Sequence, residues 1–509
     1  MSLTINFVIR MLRSPKFFYV VVGVLVLQAA WIALTARYPL PFDENFHFGL
    51  IQQHAKQLLP FFTHQPDDTA VFGPVARDPS YLYHYLLSFP YRLLTHVTGS
   101  VATQIIALRF INIGFFIAGL FVYRKLLSEL KIGRALSHTV LLFFVLLPVA
   151  PLLAGQINYD NLILYLTGLL FLYSVRLMNA LRSGHKPDTP IAMKLVLQIL
   201  LVGAVGSIVK FSFAPIFFAI IVVFSWCLWR QSRAAHGVRF VIESGQANKL
   251  KLILLGLLAV LTLALCVERY GINLLQYHNP VPKCEKVLSI SECQEYSPWA
   301  RDYLFASTYP SPALKGVLVY PAVWVHRTVY ETMFSVTSYI YEPWGTVTYI
   351  PEPPLTVANY TAWAIVCLGV VMAVRAWRSI WNIISLRGLL IVAAFYISLL
   401  FVQNFAMYIH TGEAVAIHGR YLVPIYPILL LVLAIGFRSF IGQWRSIRQP
   451  NQANYKVVLL IVTLCLFLQG AGIVGWIIRS DPSWYWQQSA PAARVNWLAK
   501  DVLYKVVHH

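Results

Sequence analysis

Phe17-Phe-Tyr-Val-Val-Val-Gly-Val-Leu-Val-Leu-Gln-Ala-Ala-Trp-Ile-Ala-Leu-Thr35 carries no charge over 19 residues, and Arg10, Arg13 and Lys16 precede it. A bilayer core of roughly 30 Å takes about 20 mostly apolar residues wound as a helix. The stretch is longer than the apolar region of a signal peptide, about 7–15 residues, and no small-residue cleavage site follows it. It reads as a first transmembrane span. Segments of the same kind recur at 101–123, 138–155, 160–178, 194–209, 211–228, 251–267, 356–374, 388–408, 421–438 and 457–478. The pair at 194–228 is short, with Lys210 between its members. The expected fold is therefore all-α, a polytopic transmembrane helix bundle of about 11 spans.

Composition agrees with that reading. Of 509 residues, 58% are hydrophobic and 12% charged, where soluble proteins carry about 25% charged residues. With a mean hydropathy of +0.64, the sequence excludes a soluble enzyme, a secreted disulfide scaffold and a disordered chain. No long polar region remains for the ectodomain of a single-span receptor. The net charge of +20 follows from basic loops on one membrane side, and no zinc or RNA motif points to nucleic acid.

Alternate loops hold Arg124, Lys125, Lys131 and Arg134; Arg176, Arg182 and Lys186; Arg230, Arg233, Arg239 and Lys249; Arg375, Arg378 and Arg387; and Arg438, Arg445 and Arg448. These loops are expected on the cytoplasmic side, where only Glu129, Asp188 and Glu243 join them among the acids. The N-terminus is then cytoplasmic and the C-terminus external. Residues 1–509 read as one integrated membrane domain with three external elaborations: a first loop at 36–100, a large loop at 268–355 and a tail at 479–509. Amphipathic helices along the membrane surface are expected in these loops.

Cys227, Cys266, Cys367 and Cys465 fall in or beside spans and read as small apolar residues. Cys284 and Cys293 lie in a polar external segment. The outer side of a bacterial inner membrane is oxidising, so these two are expected to pair, the alternative being two free thiols.

Chemistry concentrates at the outer ends of the spans. The first loop opens with Tyr38-Pro-Leu-Pro-Phe-Asp43-Glu44-Asn-Phe-His47. On a helix, His47 shares a face with both acids. Asp43 has two readings: an N-cap of the helix that follows, or a carboxylate at the membrane boundary acting as general base or metal ligand. The stretch resembles the first-loop acidic motif of the GT-C superfamily, polytopic glycosyltransferases that use polyprenyl-phosphate-linked sugars. That resemblance gives the base role to Asp43 and, behind it, Glu44. It leaves open a divalent metal at the two acids, although no metal is required.

Three further segments fit the resemblance. Asp78-Pro-Ser-Tyr81-Leu-Tyr83-His84-Tyr85 is similar to the Pro-Pro-Leu-Tyr-Tyr segment ahead of the second span of many members, with Ser80 in place of the second Pro; its plain alternative is an interfacial aromatic belt. Gln156-Ile-Asn158-Tyr159-Asp160-Asn161 puts a second acid in a short external turn, where Asp160 serves as an acidic site residue or a helix cap. His418-Gly419-Arg420-Tyr421-Leu-Val-Pro424 resembles an element of a poorly characterised group of bacterial membrane proteins related to the superfamily, which also tend to carry a Cys pair in the large loop. The planar, permanently charged fork of Arg420 suits a lipid phosphate, and a snorkelling interfacial Arg is the other reading. Lys210 and Arg109 are the charges most nearly inside apolar segments, where charges face a partner or a cavity. Lys210 is expected on phosphate, and Arg109 on substrate or in an ion pair with a first-loop acid.

Walker A, His-Glu-x-x-His and Gly-x-Ser-x-Gly motifs are all missing. No cytoplasmic loop exceeds about 25 residues, which leaves no room for a nucleotide-sugar domain. The resemblance implies an inverting transferase on the outer face. It would move a sugar from a polyprenyl-phosphate donor to a glycan, lipid or protein, with Asp43 as base and Arg420, Lys210 and His418 against the leaving phosphate, and His47, Tyr83, Arg109, Asp160 and Tyr421 around the substrate. A transporter or flippase for a lipid-linked or anionic substrate fits intramembrane charges too, though no inverted repeat is visible. A non-catalytic envelope-assembly subunit is the third reading.

Overall fold

The computed structural model describes residues 2–182, 189–234, 249–333, 338–341, 347–350, 356–444, 472–479, 484–486 and 490–508. Eleven helices run in order through the first part: α1 Ser2–Arg13, α2 Pro15–Thr35, α3 Glu44–His54, α4 Leu82–Val97, α5 Val101–Glu129, α6 Arg134–Val145, α7 Val149–Ala154, α8 Asp160–Arg182, α9 Thr189–Val209, α10 Ala214–Ala234 and α11 Lys249–Cys266. The last continues through a π turn, Val267–Gly271, into Ile272–Tyr277. Beyond it come Ser297–Thr308, Leu314–Met333, Thr356–Arg375, Ile384–Thr411, Tyr426–Trp444 and Ala490–His508. Among the described residues the departures from all-α are an antiparallel hairpin, Ser338–Tyr341 with Val347–Ile350, and a single antiparallel bridge between Ala36 and Tyr485.

Six of these helices are long and apolar enough to cross a membrane: α2, α5, α8, α9, Lys249–Tyr277 and Ile384–Thr411. Shorter apolar helices stand at four more of the expected spans. The chain is a multi-pass membrane protein. Its centre is built by α2, α5, α6 and α8, whose facing side chains (Phe18, Leu25, Phe116, Phe144 and Phe171 among them) are buried. Its outside is apolar as well: Leu250, Ile253, Leu254, Leu257 and Leu261 all lie exposed on α11. In water that surface would be costly, and in lipid it is matched to its solvent.

Several boundaries differ from expectation for identifiable reasons. The segment 138–155 is not one helix. Pro148 cannot donate to a helical ladder, so α6 ends at Val145 and α7 restarts at Val149. The expected pair at 194–228 is separated at Lys210, which is extended (φ −153°) and starts a 3₁₀ turn, Phe211–Phe213. The span expected at 421–438 begins at Tyr426, after a 3₁₀ turn over Gly419–Leu422 and Pro424. The large loop begins after Tyr277 rather than at 268, because the π turn extends α11. There Arg269 is buried and donates to the carbonyls of Ala76 and Phe62, holding the first loop down. Of the span expected at 457–478, residues 457–471 lie outside the described residues, and Ile473–Arg479 is helical.

The first loop contains α3 and α4, packed together. The segment Trp484–Trp486 of the tail comes back to the end of α2: Arg37 N–H donates to Trp484 O and Trp486 N–H to Thr35 O. The tail thus sits at the same end of the bundle as the first loop. Cys284 and Cys293 form a disulfide, which clips two short helical turns together in the large loop.

Candidate active site

Pro39 and Pro41 keep the chain from continuing α2, and it turns back at Phe42 (φ 69°) and Asp43 (φ 70°). Two successive non-glycine residues in the left-handed region are uncommon, and each costs of order 1–2 kcal/mol. Asn158 holds the turn by donating its amide to Phe42 O at 2.8 Å. The turn sends two adjacent carboxylates in different directions. Asp43 does not cap α3 with its side chain. Its side chain is 56% exposed, while that of Glu44 is wholly buried.

Glu44 is saturated. Its Oε1 accepts from Arg109 Nε (2.8 Å) and Ile157 N (3.1 Å), and its Oε2 from Arg109 Nη2 (2.7 Å) and Leu40 N (2.7 Å). Arg109 Nη1 donates to the carbonyls of Ala33 and Ala36. Burial of both partners makes this a joint between α2, the first loop, α5 and the turn before α8. Glu44 therefore offers no free oxygen as a second base, and Arg109 does not reach a substrate. A divalent cation at Asp43 and Glu44 does not fit this arrangement. No group of three metal-ligating side chains gathers among the described residues.

Asp43 pairs instead with Arg420, whose Nη2 lies 2.7 Å from Oδ2. Arg420 is carried by the 3₁₀ turn Gly419–Leu422. Its guanidinium lies over the rings of Phe42 (4.8 Å) and Tyr421 (5.1 Å). Its Nε is buried and has no hydrogen-bond partner among the described residues. Beside it, Lys210 Nζ bonds Asp160 Oδ1 at 2.5 Å, over the ring of Tyr159 (4.4 Å) and within 5.0 Å of that of Tyr421. Tyr421 therefore stands between two cations. Asn158, rather than Asp160, caps the start of α8, accepting Asp160 N–H at 2.9 Å. His418 sets its ring edge-on to Phe42 at 5.3 Å.

Asp43, Asp160, Lys210, His418, Arg420 and Tyr421 thus meet from four separate segments. Burial pushes the Asp43 carboxyl up, but Arg420, with His418 and Lys210 behind it, outweighs burial and holds it below the ordinary value. Burial first, and the Arg420 charge second, press His418 down to about 3, against the pull of Asp43. His418 is accordingly neutral near pH 7 and does not act as the cation expected of it.

Two expected substrate contacts lie elsewhere. His47 is buried beneath Tyr159 (ring centroids 4.4 Å apart), with Nδ1 2.9 Å from His84 Nε2. Burial, then the charges of Arg420 and Lys210, hold its pKa well below the usual histidine range. Tyr83 is buried and donates to Asn112 Oδ1 at 2.8 Å. The residues that sequence reasoning passed over are Tyr159, the ring beneath Lys210, and the amides Asn112, Asn158 and Asn161. Asn161 bonds Asn112 and the Leu153 carbonyl, fixing the turn that delivers Asp160. For all but Asn112 the signal is the dense polar run 156–161 inside an otherwise apolar stretch.

A groove of about 860 Å³ leaves this cluster between α10 and the helix Ile384–Thr411. Lys210, Tyr159 and Tyr421 form its head, and Phe218, Phe395, Leu399 and Val402 its apolar walls. Those four are exposed on helices that belong to the membrane.

No protein family and no curated protein matches the sequence. Among solved structures the chain is similar to ArnT from Cupriavidus metallidurans bound to undecaprenyl phosphate, with 11% identity over 97% of this chain and 77% of that one, at a TM-score of 0.43. It is also similar to the archaeal oligosaccharyltransferase AglB from Archaeoglobus fulgidus in complex with an inhibitory peptide and a dolichol-phosphate (12% identity, 89% of this chain and 55% of that one, TM-score 0.40). A third is the Archaeoglobus fulgidus oligosaccharyltransferase tethered to an acceptor peptide (10% identity, 93% and 59%, TM-score 0.42). The chain spans little more than half the length of these two oligosaccharyltransferase chains. At such identities and TM-scores the likeness is coarse, and what the site can do is argued from its own residues.

Proposed function

We propose that the protein is a GT-C-type glycosyltransferase that works at the outer membrane–water boundary with inversion at the sugar. The donor is a polyprenyl-phosphate sugar, and the acceptor a hydroxyl on a glycan, lipid or protein. The N-terminus is then cytoplasmic and the C-terminus external, and a bacterial inner membrane suits the reading. One observation carries it. A solvent-exposed carboxylate is bonded to an arginine whose chain neighbour Tyr421, together with Lys210, heads a membrane-facing apolar groove.

The groove takes the isoprenoid tail, since its walls are apolar and open to lipid. The donor phosphate meets Lys210 and Arg420, whose buried Nε has a bond to give. Asp43 accepts the proton of the acceptor hydroxyl as that oxygen bonds the anomeric carbon. The bond from that carbon to the phosphate oxygen breaks, and its electron pair leaves on the phosphate.

The charges explain why the two carboxylates are tolerated beside the cations. At rest the cluster holds Asp43 and Asp160 against Arg420 and Lys210, so its formal charge is balanced. When Asp43 takes up the proton it becomes neutral. Arg420 is then free to turn its fork to the phosphate as charge grows there, and fixed cations in a site shielded from water are strong stabilisers of such charge. Asp43 and Arg420 thus act as one exchangeable pair.

The test is binding and bond cleavage on the full chain in nanodiscs, with a panel of short-chain polyprenyl-phosphate sugars. Wild type should bind the donors and, given acceptor, release polyprenyl phosphate. Arg420→Ala should lose donor affinity. Movement of the labelled lipid across the bilayer without cleavage would replace this reading with a flippase. No binding of any donor would end it.

A further inference from the structure

A second cavity, of about 730 Å³, lies beside the groove. The first loop, the disulfide-clipped segment, the helix Ser297–Thr308 and the tip of Ile384–Thr411 enclose it. It is continuous with the chemistry on one side, because Phe211 and Val281 line both the cavity and the groove. Tyr296 lines the cavity on the side of the first loop. Its ring lies 6.4 Å from Phe46, on α3 just past the Asp43 turn. Burial, then the charges of Asp78 and Asp43, raise its phenol pKa. Tyr296 therefore links the cavity to Phe46 of α3, three residues beyond Asp43 in the chain.

The lining has a definite chemistry. Trp299 and Tyr303 stack on one another in near-parallel fashion, with centroids 4.8 Å apart, so the pair offers a ligand its outer ring faces. The Trp299 indole N–H donates to Glu285 at 2.6 Å, which fixes the ring's orientation. Arg77 and Asp78 face this platform from the first loop, and Asp302, tied to Arg301 at 2.6 Å, adds a further carboxylate. Arg77 makes backbone hydrogen bonds, and its guanidinium makes none among the described residues. Acids and bases are both present, so the cavity does not select strongly for an anion or a cation. Its walls are helices and loops, with no strand edge to pair with an extended peptide. Flat aromatic faces with carboxylate acceptors and a guanidinium donor match a ring that shows C–H groups on its face and hydroxyls around its rim.

We infer that this cavity is the acceptor site of the enzyme and that it takes a neutral carbohydrate, stacked on Trp299 and Tyr303, with a hydroxyl directed past Tyr296 toward Asp43. This rests on the transferase reading, because only a transferase needs a second substrate, but saccharide binding can be measured without turnover.

The experiment is saturation-transfer NMR and equilibrium binding with neutral di- and trisaccharides on the full chain in nanodiscs. It compares wild type with Trp299→Ala, Trp299→Phe and Tyr303→Ala, and measures polyprenyl-phosphate binding in parallel as the check on folding. At least one saccharide is expected to bind, roughly tenfold or more weakly in Trp299→Ala and less affected in Trp299→Phe, with polyprenyl-phosphate affinity unchanged. A Trp299→Ala protein that no longer binds polyprenyl phosphate hands the test to Tyr303→Ala. Equal saccharide affinity in wild type and variants overturns the inference. So does binding of a peptide library in place of sugars. Binding of polyprenyl phosphate with no saccharide also overturns it, and leaves the transferase standing. Failure to bind either ligand takes down both.

Discussion

Replacing Glu44 by Gln leaves every heavy atom of the site in place and removes one charge from a fully buried pair. Arg109 then stays in the interior without its counter-ion. Breaking one side of a buried ion pair costs roughly 3–5 kcal/mol. A second effect adds to it. Leu40 N–H and Ile157 N–H each donate to a different oxygen of Glu44, and the Gln amide offers an acceptor to only one of them. A buried donor left unsatisfied costs about 1–3 kcal/mol. A kcal/mol shifts Tm by about 2–4 °C for 150–250 residues, and proportionally less for a longer chain, so the expected fall is roughly 4–10 °C. Thermal unfolding of the detergent-solubilised protein, followed by tryptophan emission, reads it. The neighbouring Asp43→Asn variant also takes a counter-ion from a buried arginine, but its side chain is over half exposed, so water screens the pair and the fall in Tm should be clearly smaller. A Glu44→Gln, Arg109→Met double variant should recover part of the loss, because removing both charges removes the uncompensated one. The reasoning fails if Glu44→Gln keeps the wild-type Tm and loses sugar transfer, for then Glu44 takes part in the chemistry.

Arg420→Lys should weaken donor binding by roughly tenfold to a hundredfold, the value of one charge-assisted bond, because a lysine keeps the charge but not the fork; titration with short-chain polyprenyl phosphate checks it. The pH dependence of transfer follows from Asp43, which must be ionised to act as base and whose pKa lies below the ordinary 3.8. Activity should stay level as pH falls from neutral and decline only near or below about pH 4. In Arg420→Met the main lowering influence is gone and burial remains, so the acid limb should move to higher pH; an unmoved limb would mean that Asp43 is not the titrating base. Removing the Cys284–Cys293 bridge by a double Ser substitution should cost the large loop about 2–3 kcal/mol from its short closed ring. Limited proteolysis should then cut near 284–293, and the helices of the bundle should stay protected.

The helical bundle was largely legible because lipid requires every span to be long, apolar and internally hydrogen-bonded. What hydropathy cannot report is where such a helix breaks. Pro148 divides one apolar run, Lys210 interrupts another, and Arg269 sits in a π turn where a loop was expected. The site was legible as a set of unusual residues at span ends. Asp43, Lys210 and Arg420 do meet, across separations in sequence that no local pattern encodes. The two acids of the first-loop motif looked equivalent in sequence. They differ because a left-handed turn at Phe42 and Asp43 exposes one and turns the other to Arg109, and backbone handedness at a non-glycine residue leaves no mark in composition. His47 reads as a substrate contact from its helical spacing to the two acids, and Tyr83 from the resemblance its segment bears to the superfamily. Each in fact satisfies another buried polar group, His84 and Asn112, which is the usual fate of such residues.

The central claim is that Asp43 takes a proton while a lipid phosphate departs against Arg420. It is tested most directly by supplying one binding-competent polyprenyl-phosphate sugar and an acceptor saccharide to wild type and Asp43→Asn, and measuring both donor affinity and product. The account predicts donor affinity in Asp43→Asn no lower than in wild type, product of inverted anomeric configuration from wild type, and a rate at least about 100-fold lower in Asp43→Asn. Product from Asp43→Asn at the wild-type rate, or product of retained configuration, would contradict it.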